Sequence, residues 1–384
     1  MSLIFTLNTG SSSVKFSIYA EGEEPELLLV GQVENMGDDA QLVLNSTPKT
    51  RQPIGNVDHG GALNAILQAA ATEVGHSTVT GVGHRIVHGG TDFTDPVRLD
   101  ASVMTKLAQL NPLAPLHQPY NLQMVEAARA IFPKAVQVGC FDTAFHHGHP
   151  WVNDTFALPR EFYAAGVRRY GFHGLSYDYI TGTLAKHRPQ LRKNKLVVAH
   201  LGNGASMCAI RDGRSVGSTM GFTALDGLPM GTRCGQLDPG VILYMLDQGH
   251  TPDKIAHILF KESGLKGLSG ITHDMRKLLA SDAPEARQAV DYYVFRIRRE
   301  LGAMAAILGG LDTLVFCGGI GENAAEIRAR VIDGMEFLGL SIDAEANAAN
   351  AEDISAGATE ILVIPTNEEL VMARAVAKNL SVHP

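Results

Sequence analysis

The stretch LIFTLNTGSSSVKFSIY, residues 3–19, decides how the rest of the chain is read. Leu3–Leu7 is a run of apolar and β-favouring residues and reads as a strand. Val14-Lys15-Phe16-Ser17-Ile18-Tyr19 alternates as a returning strand does, and Asn8-Thr9-Gly10-Ser11-Ser12-Ser13 between them is a tight polar turn. Gly10 allows a sharp bend, the serines leave N–H and O–H donors inside it, and Lys15 adds positive charge at its rim. A donor-dense hairpin with one lysine suits a polyphosphate, whose oxygens only accept hydrogen bonds. An ordinary Ser/Gly hairpin is the competing reading. The stretch has neither Walker-loop nor GxGxxG spacing.

With 384 residues the chain exceeds one comfortable core, so two domains are expected. A net charge of −8 argues against nucleic acid or an anionic membrane as the main partner. The cysteines (Cys140, Cys208, Cys234, Cys317) lie far apart with no CxxC spacing, which signals neither a zinc site nor a disulfide framework. No secretory leader follows Met1 and no run reaches membrane-spanning length, so a reduced, cytoplasmic protein is expected.

Outward from the hairpin, Glu26–Met36 and Ala40–Leu44 read as strands with Gly37-Asp38-Asp39 as their turn, Ser46–His59 as a loop, and Gly61–Val74 as a helix. Thr80–Gly83 returns to strand and runs into GHRIVHGG, residues 83–90. Arg85 in so apolar and Gly-rich a setting needs an anionic partner, since a buried guanidinium does not deprotonate. That partner is a structural carboxylate or, favoured by the flanking glycines, a substrate carboxylate or phosphate. Leu110–Asn121 carries three prolines and reads as an ordered loop before a helix over Leu122–Phe132. Ala135–Phe141 is a buried strand ending in Asp142, a frequent place for active-site groups in α/β proteins. His146, His147 and His149 lack a metal-ligand spacing and read as loop. His173, between Phe172 and Gly174, reads as a presented side chain, with Ser176 capping the following helix.

Residues 195–213, KLVVAHLGNGASMCAIRDG, repeat the plan of the opening: strand, Gly-rich turn Gly202-Asn203-Gly204, small residues, strand. A duplicated fold with a phosphate-binding hairpin in each half would hold a nucleotide. Gly221–Gly240 reads as a particular Gly-rich loop containing Arg233, followed by helices capped at Asp238 and Thr251. Gly264–Asp274 reads as a second flexible loop, Pro284–Leu308 as a long helix, and Leu311–Cys317 as a buried strand. Gly318-Gly319-Ile320-Gly321-Glu322-Asn323 then turns into a helix, offering free N–H groups to a ligand. Ile361–Ile364 is a last strand, and Asn367-Glu368-Glu369 caps a terminal helix.

NTGSSSVK, GHRIVHGG, LAPLHQP, FDTAFH, YGFHG, HLGNGAS, MGTRCGQLDP, GGIGEN and PTNEE occur in this order over nearly the whole chain, which thereby resembles the acetate kinase family (acetate and propionate kinases). The resemblance implies a duplicated actin-like (ribonuclease H-like, ASKHA) α/β fold of two lobes with the active-site cleft between them. It implies reversible, direct in-line phosphoryl transfer from ATP to a short-chain carboxylate, giving ADP and an acyl phosphate, with Mg²⁺ as metal (Mn²⁺ substituting). By position it places Asn8 and Glu368 on the metal. Ser11, Ser12 and Lys15 fall at the phosphates, as do His200, Leu201, Gly202, Asn203 and Gly204. Asp274, Met275, Arg276 and Gly319–Asn323 (Gly319, Ile320, Gly321, Glu322, Asn323) fall at the adenosine. Arg85 would bind the carboxylate, Asp142 would orient the reacting groups or act as acid/base, and His173 and Arg233 would stabilise the transferring phosphoryl group. Val87, Leu116, Phe172 and Ala224 would line the acyl pocket.

The chain departs from the family pattern at Ala224 (usually Pro), Leu175 and Tyr177 (usually Thr and His), and Gln236 (usually Asp, a partner for Arg233). The smaller Ala224 predicts that propionate is used about as well as acetate. The expected lobes are residues 1–147 with 366–384, carrying the carboxylate site, and 148–365, carrying the adenosine pocket. The family resemblance further implies a homodimer through the second lobe, to which Pro284–Leu308 would contribute if it is not simply core. The competing functions are a kinase of this fold with another acceptor, such as butyrate or a sugar, and a non-catalytic nucleotide-binding sensor. A sugar kinase needs an aspartate base and not Arg85, and a sensor is expected to have lost one of Arg85, Asp142, His173 and Arg233.

Overall fold

The computed structural model describes residues 1–10, 12–45, 49–75, 77–115 and 117–382, so the readings made at Ser11, Leu116 and residues 46–48 lie outside it. Two compact units form, Met1–Ala144 with Asn367–Pro384, and Phe145–Thr366.

In the first unit the opening hairpin is β1 (Ser2–Thr9) and β2 (Val14–Ala20), in antiparallel register with Asn8 opposite Lys15. The meander continues through β3 (Glu26–Glu34), β4 (Gly37–Leu44) and β5 (Thr50–Val57); then come β6 (Thr78–Ile86), β7 (Val97–Arg98) and β8 (Val136–Phe141). The sheet order is β5-β4-β3-β2-β1-β6-β8-β7. Phe5, Leu7, Phe16 and Ile18 alternate onto one face and bury against Leu63, Ile66 and Met124 of the helices His59–Val74 and Gln118–Ile131. The terminal helix Glu368–Val382 packs on β1, β6 and β8, and a Cβ on Gly81 would lie 2.3 Å from Val376.

The second unit is built on β9 (Lys195–Leu201), β10 (Ala205–Arg211), β11 (Arg214–Ser218), β12 (Thr313–Cys317) and β13 (Glu360–Val363), in the order β11-β10-β9-β12-β13. Leu196, Val198 and Val315 face Ile180 and Leu184 of the helix Gly174–His187. The long helix Pro284–Leu308 packs on β9, β10 and β11 through its regularly spaced apolar positions, among them Val290, Ile297, Leu301 and Leu308.

The duplication is explicit in topology. β3-β2-β1-β6-β8 and β11-β10-β9-β12-β13 both run antiparallel, antiparallel, parallel, parallel. Several local expectations are corrected. Residues expected in the loop at 46–59 form β5, a mostly exposed edge strand that tolerates Pro53. Gly37 opens β4 instead of turning, and the helix after the prolines begins at Gln118 with Pro119 in its first turn. The expected loop at 264–274 contains the helix Gly264–Ser269, docked by Leu265 N–H on Met230 O at 2.9 Å.

Candidate active site

In the first unit β6 delivers Arg85 and β8 delivers Asp142 directly beyond its last residue. Arg85 Nε donates to Asp142 Oδ1 at 3.0 Å, Nη2 meets Asp142 Oδ2, and Nη1 donates to Asn8 Oδ1 at 3.1 Å. The structural Arg–carboxylate pair is therefore present, and among the described residues Asp142 and Asn8 together engage three of the five guanidinium N–H groups. Asp142 is buried and both its oxygens face Arg85. Burial works against the arginine's charge, yet Asp142 and then Glu368 hold its pKa above the ordinary value. Glu368 opens the terminal helix behind the Asn367 cap, whose Oδ1 accepts from Leu370 N–H at 2.9 Å. Burial pushes Glu368 up to about 7, with Asp142 and Glu369 adding to the rise against Arg85 and Lys15. The cluster thus holds more carboxylates than cations.

Backbone at the strand ends is tied down by Asn121, which donates to Thr9 O at 2.8 Å and accepts from Val87 N–H at 3.0 Å. Gln118 brackets His88, accepting from its N–H at 3.2 Å and donating to its carbonyl at 3.0 Å. Val87 itself is buried, Ser12 and Lys15 are exposed beside the turn, and Gly10 N–H closes that turn on Ser13 O at 2.8 Å.

In the second unit the β9–β10 turn is surrounded by donors. A Cβ on Gly204 would lie 3.1 Å from His173 Nε2 and 3.9 Å from Arg233 Nη1, so glycine keeps this approach open. A Cβ on Gly202 would lie 3.8 Å from both His200 Nε2 and Gly319 N. The His173 and His200 rings stack at 4.3 Å, with Nδ1 of His173 on Ser206 Oγ and Nδ1 of His200 on Ser176 Oγ, both at 2.8 Å. Ser176 is therefore not a helix cap, as read from the sequence; its hydroxyl serves His200 and accepts from Thr366 Oγ1 at 2.9 Å. Asn203 lies against Gly231, whose N–H donates to Asn203 O at 3.0 Å.

Gly318–Asn323 is itself one short helix rather than a turn before one. Gly319 and Asn323 are exposed, whereas the Glu322 carboxylate is spent on its own backbone, taking Gly318 N–H at 2.8 Å and Thr366 N–H at 3.1 Å. Ile320 is half-buried and Gly321 buried. Asp274 caps the helix Met275–Leu279 and pairs with the exposed Arg276 at 2.8 Å, and that hydrogen bond lowers the Asp274 pKa. Leu201, Met275 and Phe172 are buried core side chains. Any ligand contact by Leu201 or Met275 runs through backbone.

A family model described as the acetokinase family matches residues 3–374. The chain belongs to the acetokinase family. It is 51% identical to an acetate kinase of Methylocella silvestris over 97% of this chain and 96% of that one, and 47% identical to an acetate kinase of Nitrobacter hamburgensis over 97% and 95%. Among solved structures it superposes on a propionate kinase from Francisella tularensis with TM-score 0.92 at 36% identity, covering 98% of this chain and 99% of that one. An acetate kinase from Porphyromonas gingivalis gives TM-score 0.89 at 35% identity, over 99% and 100%. The duplicated actin-like α/β fold expected of an acetokinase is the fold found.

Two departures from the acetokinase pattern gain a physical meaning. Gln236 does not face Arg233; its Oε1 accepts from Arg296 at 3.1 Å and also meets Arg299 on the long helix. Arg233 is held instead by the carbonyl of Ala224, at 3.0 Å from Nη1. Tyr177 is buried with its hydroxyl on Ser206 Oγ, behind His173, and Leu175 is buried. Sequence reading passed over Ser206, Asn121, Gln118 and Arg328. Arg328 is buried and donates to the carbonyls of Gly321 at 2.8 Å and Glu322 at 3.0 Å. Its trace in the sequence is an arginine between Ile327 and Ala329, on the apolar side of a helical segment that also carries Arg330.

Proposed function

We propose that this chain is an acetate kinase, transferring the γ-phosphoryl group of ATP directly to acetate to give acetyl phosphate and ADP, reversibly. The observation that carries this reading is the approach of His173 Nε2 and Arg233 Nη1 to Gly204, in a glycine turn that also meets His200 Nε2 and Gly319 N–H. A carboxylate is already ionised at neutral pH, so no strong base is needed. The barrier is repulsion between two anions, removed by positioning and by positive charge on the phosphoryl oxygens.

Arg85 binds the acceptor carboxylate through the two N–H groups that Asp142 and Asn8 leave over, and Asp142 orients that guanidinium rather than taking a proton. His173 and Arg233 neutralise the phosphoryl group in flight. Ser12 and Lys15 in one hairpin, and His200 with residues 201–204 in the other, contact the phosphates. Residues 274–276 and 319–323 take the adenosine. The excess of carboxylate around Glu368 fits a divalent cation, and Asn8 with Glu368 would hold Mg²⁺ largely through waters. When bound, the cation supplies charge to the β- and γ-phosphate oxygens.

Ala224 in place of proline leaves room for one more carbon, so propionate belongs in the substrate range. The widely separated cysteines, with no CxxC spacing, fit a reducing cytoplasm. Homodimerisation is supported by the helix Pro239–Asp247, none of whose residues is buried. The test is ATP formation from ADP and acetyl phosphate. ATP should form with Mg²⁺ or Mn²⁺, cease with EDTA, and return on adding metal. No ATP under any metal would contradict the reading.

A further inference from the structure

His173 adopts a left-handed backbone, φ 59° and ψ 24°, which a residue with a side chain keeps only where neighbours impose it. Its neighbours are imposed by a buried polar group that no step of the transfer uses. The ring of His146 packs on Gly171, where a Cβ would lie 2.6 Å from the imidazole, and His146 Nε2 lies 2.8 Å from the carbonyl of Phe172. The other nitrogen, Nδ1, lies 2.9 Å from Ser215 Oγ. The same hydroxyl meets His149 Nε2 at 2.6 Å and Cys208 Sγ at 3.2 Å. Tyr177 closes the edge of the His146 ring at 5.5 Å.

The carbonyl of Phe172 sets the proton arrangement on His146 and Ser215. A carbonyl only accepts, so His146 Nε2 carries hydrogen and, the ring being neutral, Nδ1 is bare. Ser215 must then spend its single hydrogen on Nδ1. His149 Nε2–H is left to donate to Ser215 Oγ, so His149 Nδ1, which has no hydrogen-bond partner among the described residues, is bare, and the Cys208 thiol lies 3.2 Å from the same hydroxyl and 3.7 Å from the Ala209 carbonyl. Burial holds His146 and His149 neutral, at about 3 and about 4, and the Cys208 thiol protonated, at about 12.

We infer that His146, fixed by Ser215 with His149 and Cys208, is a positioning residue that clamps Gly171 and Phe172 and so aims His173 at Gly204. This rests on the reading of His173 as a phosphoryl-stabilising group. A displacement of the order of 1 Å at such a group lowers turnover by about 100-fold.

The experiment compares His146→Phe, His146→Gln, Ser215→Ala and, as reference, His173→Ala. It measures kcat, KM for acetate and MgATP, MgATP affinity and thermal midpoint. His146→Phe keeps a ring on Gly171 but loses the donor to Phe172. Its kcat should fall about 10- to 100-fold with both KM values and nucleotide affinity within about twofold. His146→Gln retains an N–H donor and should recover most of that loss, and Ser215→Ala should lie between. If His146→Phe fails to fold, Ser215→Ala decides by the same split. Wild-type kcat in both, or a raised KM with unchanged kcat, overturns the inference while loss of kcat in His173→Ala upholds the parent reading. Unchanged kcat in His173→Ala overturns both.

Discussion

At Arg85 the structural ion pair is present and leaves the proposed substrate contact possible. The guanidinium is bonded to Asp142 and Asn8, yet two of its N–H groups take no partner among the described residues and the side chain is 19% exposed, which is what the proposed carboxylate-binding role requires. Residue-scale electrostatics also predict a pH dependence. Burial lowers His84, His88 and His149 to about 4 and His146 to about 3. These histidines stay neutral when folded but charge near 6.5 when unfolded, so their stabilisation is complete above pH 6.5 and is lost as pH falls toward 4 and 3. Each is worth on the order of 3 kcal/mol. Glu368 has the opposite slope between 4.5 and about 7, one group against four. The thermal midpoint in metal-free buffer should fall steadily below pH 6.5; a midpoint flat down to pH 5 would refute the assignment.

At the scale of elements, legibility followed burial. The hairpins β1–β2 and β9–β10 were readable because alternating apolar positions and a Gly/Ser turn are local features, and β9–β10 repeats them without repeating residues. β5 was not readable: its exposed, polar residues are held by main-chain pairing to β4, which leaves no hydrophobic period. Gly264–Ser269 was hidden for a related reason, since GLKGLS is a poor helix former that docks on Met230 O and Gly231 O. The candidate side chains Asn8, Arg85, Asp142, His173 and Arg233 were readable from motifs. Ser206 behind His173, Asn121 at the strand ends and Arg328 beneath Gly321 and Glu322 were not, because a buried polar partner depends on segments far apart in sequence. Arg328 gives the element-scale prediction. Arg328→Met leaves the carbonyls of Gly321 and Glu322 and the side chain of Asn347 without their donor. Each loss costs about 1–3 kcal/mol. Denaturant unfolding should show a loss of at least about 3 kcal/mol, and ATP titration should show weaker binding; unchanged stability would contradict the role given to Arg328.

For the whole molecule, duplication explains why a chain of this length carries two sheets of one strand plan, one ending near Arg85 and Asp142, the other near His200 and Gly204. Among the described residues no helix is long and apolar enough to cross a membrane. Val241, Leu243, Tyr244 and Leu246 are exposed, and the partner proposed for this face is a second copy of the chain. Replacing Leu243 and Tyr244 together by aspartate should shift sedimentation from dimer to monomer with the fold retained; an unchanged species would move the interface elsewhere.

The most direct test of carboxylate phosphorylation is hydroxylamine trapping of the acyl phosphate, with MgATP and acetate, propionate or butyrate, in wild type and Arg85→Ala. The account predicts hydroxamate from acetate and propionate, with kcat/KM values within about tenfold of each other. Arg85→Ala should yield none while still binding nucleotide. Full hydroxamate formation by Arg85→Ala, or none by a nucleotide-bound wild type, would contradict it.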